Sequence, residues 1–497
     1  MSQLSRRTFI RGISAMPLAL WMARHAYAAD PVVRYDIASS AGAEMMQVYA
    51  DAVAKLQALA ATTPLSWTWQ WYTHFVNGAT TKSSEITRLF GSTTTTQGSF
   101  ANAMWNTCQS HSGQNSNYFL PWHRMYLYFM ENIIRQVSGH PEFAMPYWNY
   151  TSSDTSLRGV LPQQFRLSSD PLYRYLYRPE RTSLANSGQP IQKYQAGDPM
   201  DISTAMAASA YSTVGTVQGF CRAIDSGIHG RIHVLVGTSK GMGAVPYAGR
   251  DPLFWVHHSS IDRMWASWTA NGGVNPASAS WATKTFVFAN GAGQRVTSAL
   301  KNYFDIGTLG YSYDVLIPPA MAAKTASTLL ATASATDTNS TPQAVANARS
   351  PANLGARPVH VPLLPVPGTP RTAVLGLDPR QTAKHTYLVV KDLHAWKQPE
   401  VLYDIYLRPE HGGGLDRDSY VGDINFFDAE FHDHGGGAMD EAIGENFYSF
   451  DVTELLRRIA RHPEQDARDA LVVSFVPGGR PTAGAQPLVS TIELMRQ

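Results

Sequence analysis

The chain has 497 residues, which suggests two to four domains, and 44% of the residues are hydrophobic while only 16% are charged. This charged share lies below the usual quarter and favours either a large buried core or a subunit that also buries surface in a homo-oligomer. The formal net charge is +2 and no basic stripe accompanies it, so nothing in the composition favours a nucleic-acid partner.

The N-terminus carries an export pattern. Ser5-Arg6-Arg7-Thr8-Phe9-Ile10 contains twin arginines, a mostly apolar run follows over 13–23, and Ala26-Tyr27-Ala28 offers small residues at the cleavage positions. The apolar run is too short to span a bilayer. We therefore expect residues 1–28 to be a twin-arginine signal peptide, and the protein to be periplasmic or secreted with no membrane partner.

Residues 29–319 are predicted to be mainly α-helical, with long loops. Apolar residues at helical spacing predict a helix over 44–61, and the aromatic stretch 65–76 predicts a second. A third helix begins at Pro121, an early position that proline favours, and ends at Gly139. Two further helices are predicted over 220–236 and 254–268.

The composition changes after this region. Residues 320–358 are rich in Ala, Thr, Ser, Asn and Pro and are predicted to be a linker. Beyond it, short runs rich in β-forming residues alternate with Gly and Pro turns, as at 387–390, 401–407 and 471–475. We expect residues 359–497 to form a β-sandwich with a short helical insert within 448–457.

Two histidines lie four residues apart within one predicted helix. This spacing places His229 and His233 on the same face, so that both imidazoles reach one metal ion. The surrounding helix is apolar, and burying two imidazoles there is costly unless a partner satisfies them. A metal ion would satisfy both, although such pairs also occur as ordinary surface or core histidines.

A second histidine pair is adjacent in sequence. His257 and His258 point about 100° apart on a helix, so only one of them faces the metal that the first pair would bind. Spacing alone leaves either one as the ligand. It also leaves open that both are core histidines that donate to carbonyl groups.

Three more histidines lie in the first half of the helical region. His74 and His123 stand among large aromatic residues, where an unpaired imidazole is again costly, and His111 lies in a polar loop. Taken singly, each is more typical of a core histidine than of a metal ligand.

Four separated motifs together resemble the tyrosinase and polyphenol oxidase family of type 3 dicopper proteins, in its bacterial form with an extra C-terminal domain. They occur in the family's order over residues 65–270. The motifs are Phe119-Leu120-Pro121-Trp122-His123-Arg124, Met145-Pro146-Tyr147-Trp148-Asn149-Tyr150, His229-xxx-His233, and Asp251-Pro252-xx-Trp255-x-His257-His258-xxx-Asp262-Arg263-x-Trp265.

The resemblance implies a four-helix bundle that holds two copper ions, each on three histidine nitrogens. Carried over by position, the copper A ligands are His74, His111 and His123, and the copper B ligands are His229, His233 and His258. The family places its ligand four residues after a phenylalanine, here Phe254, which selects the second histidine of the adjacent pair.

The sequence departs from the family around copper A. His111 and His123 are twelve residues apart, where relatives usually have nine, which indicates a longer loop over 112–118. Some relatives join a cysteine to a copper A histidine by a thioether, usually at another spacing, so we expect Cys108 to be a free thiol. Cys221 is expected to be a small core residue.

The C-terminal half is similar to the extra domain of longer polyphenol oxidases. The similarity rests on Tyr448-Ser449-Phe450-Asp451-Val452. In relatives such a domain shields the copper site and keeps the enzyme latent, so the resemblance implies that this domain shields the site in cis.

The resemblance further implies a tyrosinase, which uses O2 to hydroxylate monophenols ortho to the hydroxyl group and to oxidise catechols to o-quinones. Relatives hold a proton-accepting water with an acidic residue before the first copper B histidine, and Asp225 lies four before His229. A solvated surface carboxylate is the alternative for Asp225. The next residue is Gly230, where many relatives carry asparagine.

Three other functions use the same histidines. A catechol or o-aminophenol oxidase would lack efficient monophenol hydroxylation, and Gly230 favours it, whereas Asp225 favours a tyrosinase. A haemocyanin-like oxygen carrier is disfavoured by a single small unit with an export signal. A zinc or iron hydrolase is disfavoured because carboxylates at metal-ligand spacing are missing. We expect the tyrosinase.

Overall fold

The structure is a computed structural model, and it describes residues 31–109, 117–319, 341–375, 384–430, 447–461 and 470–497. The predicted signal peptide and His111 lie outside these residues, as does the first part of the predicted linker. Within the described residues, no helix combines the length and the apolar character needed to cross a membrane.

The helical region contains long helices separated by long loops. Three long helices form its centre, since α1 and α11 both pack on α5. The helices are α1 Ser40–Ala58, α2 Trp67–His74, α3 Lys82–Phe90, α4 Thr96–Met104, α5 Phe119–Ser138, α6 Ser183–Ser187, α7 Ser203–Met206, α8 Phe220–Arg222, α9 Gly230–Val236, α10 Val245–Ala248, α11 Leu253–Ala270 and α12 Ala279–Ala282.

Short strands and 3-10 turns complete this region. The parallel strands β1 Val32–Arg34 and β4 Tyr311–Tyr313 join the two ends of the region, and β2 Thr285–Ala289 pairs with β3 Arg295–Ala299. Single 3-10 turns lie at Gln163–Phe165, Tyr173–Tyr175 and Leu300–Tyr303. The structure does not confirm a regular four-helix bundle, because α2 is only eight residues long and the predicted helix 220–236 is interrupted.

Local sequence signals explain where the long helices begin and end. The hydroxyl group of Ser39 accepts a hydrogen bond from Gly42, so α1 begins at Ser40, four residues before the predicted start. Helix α5 ends at Gly139, whose φ of 77° is a conformation that glycine adopts without strain.

The predicted helix 220–236 is broken by a π-helical turn over Ala223–His229. Within it, Gly227 has φ −83° and ψ −112°, which are not helical values. Such turns re-aim the side chains that follow them and occur often at functional sites. This one sets the direction of His229 at the end of the turn.

An ion network ties α5 and α11 to the first strand. The Asp262 carboxylate accepts from Arg34 at 2.8 Å and from Arg124 at 2.5 Å, and from Tyr311 and Tyr313 at 2.7 Å each. Burial alone would raise the pKa of Asp262, but Arg124 and Arg34 outweigh it and hold the pKa below its usual value. Since each buried charge has its partners, the network fixes how these elements pack.

The C-terminal region is one nine-stranded sheet with antiparallel pairing throughout. Its strands are β5 Gln343–Asn347, β6 Ala352–Asn353, β7 Val359–Pro365, β8 Thr386–His394, β9 Tyr403–Pro409, β10 Tyr420–Ile424, β11 Phe447–Asp451, β12 Leu471–Pro477 and β13 Leu488–Arg496. The order is β10-β9-β12-β7-β5-β13-β8-β11, with β6 also on β13. Helices α13 Arg371–Val374 and α14 Thr453–Ala460 lie beside it.

The sheet differs in two respects from the sequence prediction. It is a nearly closed barrel rather than a sandwich of two separate sheets, because its end strands β10 and β11 approach each other. The last part of the segment predicted as a linker enters it as β5 and β6. Together with the other strands this makes "mainly α" too narrow a description, although a helical region followed by a sheet domain is confirmed.

Each region has its own hydrophobic core, and one turn of the sheet region enters both. Phe426 packs in the core of the sheet, whereas the next residue, Phe427, packs in the core of the helical region. The two neighbouring side chains of this turn thus point into different cores. The turn therefore attaches the sheet region to the helical region.

Candidate metal centre

His229 and His233 occupy the π-helical turn and the helix α9 that follows it. The Nδ1 atom of His229 lies 3.2 Å from the carbonyl oxygen of Asp225, and Nδ1 of His233 lies 2.7 Å from that of Met242. A carbonyl group accepts a proton from Nδ1 and leaves the lone pair of Nε2 for a metal ion. Both Nε2 atoms are buried and have no hydrogen-bond partner among the described residues.

The adjacent histidines on α11 complete this group. One ring nitrogen from each of His229, His233, His257 and His258 lies within 4.8 Å of the others. Burial, and then the neighbouring histidines, lower the pKa values of His233, His257 and His258 well below the usual value. The imidazoles are therefore neutral, the form that binds a metal.

The two adjacent histidines differ in their position within the group. The ring of His258 stacks on His123 with centroids 4.1 Å apart, and it lies 5.2 Å from His229. The ring of His257 stacks on His229 at 5.5 Å and contacts Tyr150 at 5.6 Å. His258 thus stands between the two halves of the site, whereas His257 contacts the first half, with its ring 5.1 Å from that of His233.

The second half of the site contains His74, Cys108 and His123, whose ligand atoms also lie within 4.8 Å of one another. His74 is the last residue of α2, and His123 lies in the first turns of α5, where its Nδ1 is 2.8 Å from the carbonyl oxygen of Phe119. The ring of Phe254 packs edge-on against His74 at 4.9 Å. The structure thus brings together five of the six predicted ligands, and His111 lies outside the described residues.

Cys108 lies closer to this half of the site than the sequence indicated. Its Sγ is 3.5 Å from Nε2 of His123, the nitrogen that would face a metal ion. Neither Cys108 nor Cys221 forms a disulfide, and both are buried. Burial raises the pKa of the Cys221 thiol to about 12, as befits a core residue.

Asp225 lies against His229, and its carboxylate is buried rather than solvated. One carboxylate oxygen is 3.2 Å from Nδ1 of His229, on the side of the ring opposite Nε2. Only 4% of Asp225 is exposed. A carboxylate in this position orients the imidazole and increases its basicity.

The sequence did not reveal that Phe427 of the sheet region lies at the site. Its ring stacks on His233 with centroids 4.0 Å apart at 11°, and it meets His229 edge-on at 5.7 Å. Phe427 is fully buried, and its carbonyl oxygen accepts a hydrogen bond from Gln398. Nothing in the local pattern Asn425-Phe426-Phe427 marks it, because the contact joins residues about 190 positions apart in the sequence.

The ligand types and their burial indicate which kind of metal ion the site would bind. Imidazole ligands in two adjacent groups suit copper better than the hard cations that prefer oxygen ligands. The buried Nε2 atoms of His229 and His233 fit one metal ion, and the second group offers ligand atoms for another. Phe119 and Phe254 pack against the ligand rings. The site is that of a dinuclear copper protein with histidine ligands.

Residues 64–271 match the family model described as the common central domain of tyrosinase. A tyrosinase of Hahella sp. (strain CCB-MM4) is 25% identical over 469 residues, which cover 90% of this chain and 95% of the relative. The chloroplastic polyphenol oxidase II of Ipomoea batatas is 30% identical over 42% of this chain and 40% of its own length. Residues 64–271 are thus similar to the central domain of the tyrosinase and polyphenol oxidase family, whose cofactor is a pair of copper ions.

Solved structures share the fold over nearly the whole chain. The latent apple tyrosinase has a TM-score of 0.58 at 21% identity and covers 94% of this chain and 97% of its own. A latent aurone synthase has a TM-score of 0.58 at 19% identity and covers 94% and 90%. The family comprises copper oxidoreductases that act on phenols with O2, and the latent structures have a shielding C-terminal domain.

Proposed function

We propose that the protein is a tyrosinase, which hydroxylates monophenols ortho to the hydroxyl group with O2 and oxidises catechols to o-quinones. The stack of His123 on His258 carries this proposal, because it places the two groups of ligands face to face at 4.1 Å. When bound, the copper pair supplies O2 binding and accepts the two electrons that a catechol releases.

The protein residues provide a place for a flat ring. Phe427 stacks on His233 at 4.0 Å, which marks the imidazole face where an aromatic ring packs well. A phenol in this position would turn its hydroxyl group toward the ligand nitrogens. Phe119 and Phe254 border the ligands and keep water away from the reacting oxygen atoms.

The same contact supports a latent state. Phe427 occupies the face that the phenol needs, so the sheet region shields the site in cis until it moves away. Other contacts hold it in place. They include the ion pair between Arg231 and Asp423 at 2.7 Å and the hydrogen bond from the Ser239 amide to Glu400 at 2.5 Å.

Asp225 supports the hydroxylase half of the proposal. A phenol must lose its proton before hydroxylation, and the unperturbed pKa of a phenol is about 10. The buried Asp225 carboxylate lies beside His229 on the side of the ring away from Nε2, so it would act on the phenol through a bridging water rather than by direct contact. The position after His229 is Gly230, and this favours the second candidate, a catechol or o-aminophenol oxidase without efficient monophenol hydroxylation.

Oxygen uptake by the copper-loaded full chain separates the two candidates. Tyrosine, a 4-hydroxybenzoate and a catechol are tested in parallel, with the Phe427→Ala variant included so that shielding does not hide activity. A tyrosinase consumes O2 with the monophenols after a lag that traces of catechol shorten. Uptake with catechol alone rejects the hydroxylase and leaves the oxidase.

We also propose twin-arginine export, on the pattern of residues 5–28. Replacement of Arg6 and Arg7 by lysine keeps the charge and removes the twin-arginine pattern, so the expected result is accumulation of the uncleaved precursor in the cytoplasm. Unchanged export of the double variant rejects this route.

A further inference from the structure

Gly230 faces the sheet region at the point where the two regions touch. A Cβ atom built on Gly230 would lie 2.5 Å from Oδ1 and 2.7 Å from Nδ2 of Asn425, closer than real Cβ atoms approach any other atom. The carboxamide of Asn425 therefore fills the volume that a side chain at position 230 would need. Both residues are buried.

The carboxamide of Asn425 is held in this volume from both sides. Its Nδ2 donates to the carbonyl oxygen of Ser226 at 2.8 Å, which lies in the π-helical turn of the helical region. Its Oδ1 accepts from the backbone amide of Phe427 at 3.2 Å. One side chain thus connects the helical region to the residue that covers His233.

Tyr448 holds the backbone of the same turn. Its hydroxyl group donates to the carbonyl oxygen of Asn425 at 3.0 Å and accepts from the Asn425 amide at 3.2 Å. Tyr448 begins the five-residue motif that resembles the extra domain of polyphenol oxidases. The motif therefore presents Asn425 and Phe427 at a fixed distance from each other.

The backbone at position 230 does not itself require glycine. Gly230 has φ −62° and ψ −36°, which are ordinary helical values. Alanine is the better helix former there, by about 1 kcal/mol. The reason for glycine at this position is consequently the space that Asn425 occupies.

We propose that Gly230 is the docking notch of the sheet region: the missing side chain beside His229 admits Asn425, and Asn425 seats Phe427 over His233. The size of the side chain at position 230 then determines whether Phe427 docks over His233. This inference rests on the proposed shielding and adds to it the residue pair that makes the shield fit. A side chain at position 230 would leave the helix intact and would prevent the turn with Asn425 and Phe427 from docking.

Gly230→Ala tests the notch in the full chain, and Gly230→Ala with Asn425→Gly tests the fit between the two residues. The single variant is expected to raise catechol oxidation by about tenfold, which corresponds to about 1.4 kcal/mol of docking free energy. Hydrogen exchange of the copper-free chain, measured by mass spectrometry, should accelerate over residues 423–430. Asn425→Gly returns the space but removes the two carboxamide hydrogen bonds, so Gly230→Ala should add nothing to either change when it is combined with Asn425→Gly.

Gly355→Ala is the matched control, because a Cβ atom there meets nothing within 4 Å. It should change neither measurement.

Phe427→Ala distinguishes docking at Gly230 from shielding of the site by Phe427. Activation by Phe427→Ala, together with unchanged exchange and activity in Gly230→Ala, would reject the docking role of Gly230 and support shielding by Phe427. If Gly230→Ala accelerates exchange without activation and Phe427→Ala does not activate either, docking at the notch stands and the shielding function fails. Loss of activity in Gly230→Ala, or a further acceleration of exchange when Gly230→Ala is added to Asn425→Gly, also overturns the proposed docking role of Gly230.

Discussion

The helical region and the sheet region contribute to one site in opposite ways. The helical region supplies every member of both ligand groups found among the described residues, on segments fixed by buried hydrogen bonds and by the Asp262 ion network. The sheet region supplies the ring of Phe427, which stacks on His233 at the face where we propose that a substrate ring packs. Substitutions in the first region should therefore lower activity, whereas substitutions at the contact with the second should raise it.

The largest expected effect is the loss of a ligand in the helical region. His258→Ala should reduce turnover by more than about a hundredfold and lower the bound copper to about one ion per chain. Even the loss of a residue that only orients a metal ligand costs about 10- to 100-fold. Copper analysis and catechol turnover on the same preparation measure both effects.

His257→Ala is the matched control for this prediction. The ring of His257 contacts His229 and Tyr150, whereas the ring of His258 stacks on His123 of the other ligand group, so the His257 variant should keep most of its copper. If His257→Ala loses copper and His258→Ala keeps it, the ligand is the first histidine of the pair.

The next effect in size has the opposite sign and arises in the sheet region. Phe427→Ala should raise catechol turnover of the full chain by about tenfold, because about 1.4 kcal/mol of lost docking free energy exposes the site tenfold more often. Phe427→Leu keeps an apolar side chain of similar reach and should give a smaller increase. Equal activity of the three proteins would show that Phe427 fills a core without limiting access.

The sequence predicted the structure of the helical region better than that of the sheet region. The spacing of His229 and His233 is local, and helix geometry converts it directly into a shared face. The choice of His258 over His257 needed the family motif with Phe254, and its position beside His123 agrees with that choice without testing it. His111 stays a prediction.

The sequence could not predict the contacts between the two regions. Strand propensity identifies β9 and β12 but does not say that the end strands of the sheet approach each other. Gly230 was noted as a departure from relatives, yet the side chain that fills its space lies 195 positions away. A π-helical turn also leaves no periodic signal, because one extra residue per turn looks like ordinary helix.

A third and smaller effect, from a substitution in the helical region, should distinguish monophenol hydroxylation from catechol oxidation. Asp225→Asn keeps the shape of the side chain and removes the charge beside His229. Turnover of a monophenol should fall about fivefold, less than the roughly hundredfold or more of a proton acceptor in direct contact with the substrate, and catechol turnover should change less than about twofold. Steady-state kinetics with both substrates measure the split.

Asp198→Asn controls for the loss of one carboxylate, because Asp198 pairs with Arg158 at a partly exposed position away from the ligands. It should affect neither substrate. If Asp225→Asn lowers both activities equally together with the copper content, Asp225 only orients His229.

The smallest effect concerns stability where the two regions meet. Burial, and then the nearby Asp423, raise the pKa of Asp404 to about 6. The unfolded pKa is about 3.9, so the folded chain binds the proton more tightly over this interval. The stability contributed by this carboxyl group is fully present below about pH 4 and is lost as the pH rises through about 6.

Asp404→Asn replaces the carboxyl group with a neutral group of the same shape. At pH 8 the variant should melt about 2–4 °C above the wild type, and the difference should vanish near pH 4, where both side chains are neutral. Asp418→Asn removes an exposed carboxylate from the same sheet and should show no such pH dependence. A constant difference at every pH would mean that the carboxamide introduced at position 404 acts through packing rather than through removal of the buried charge.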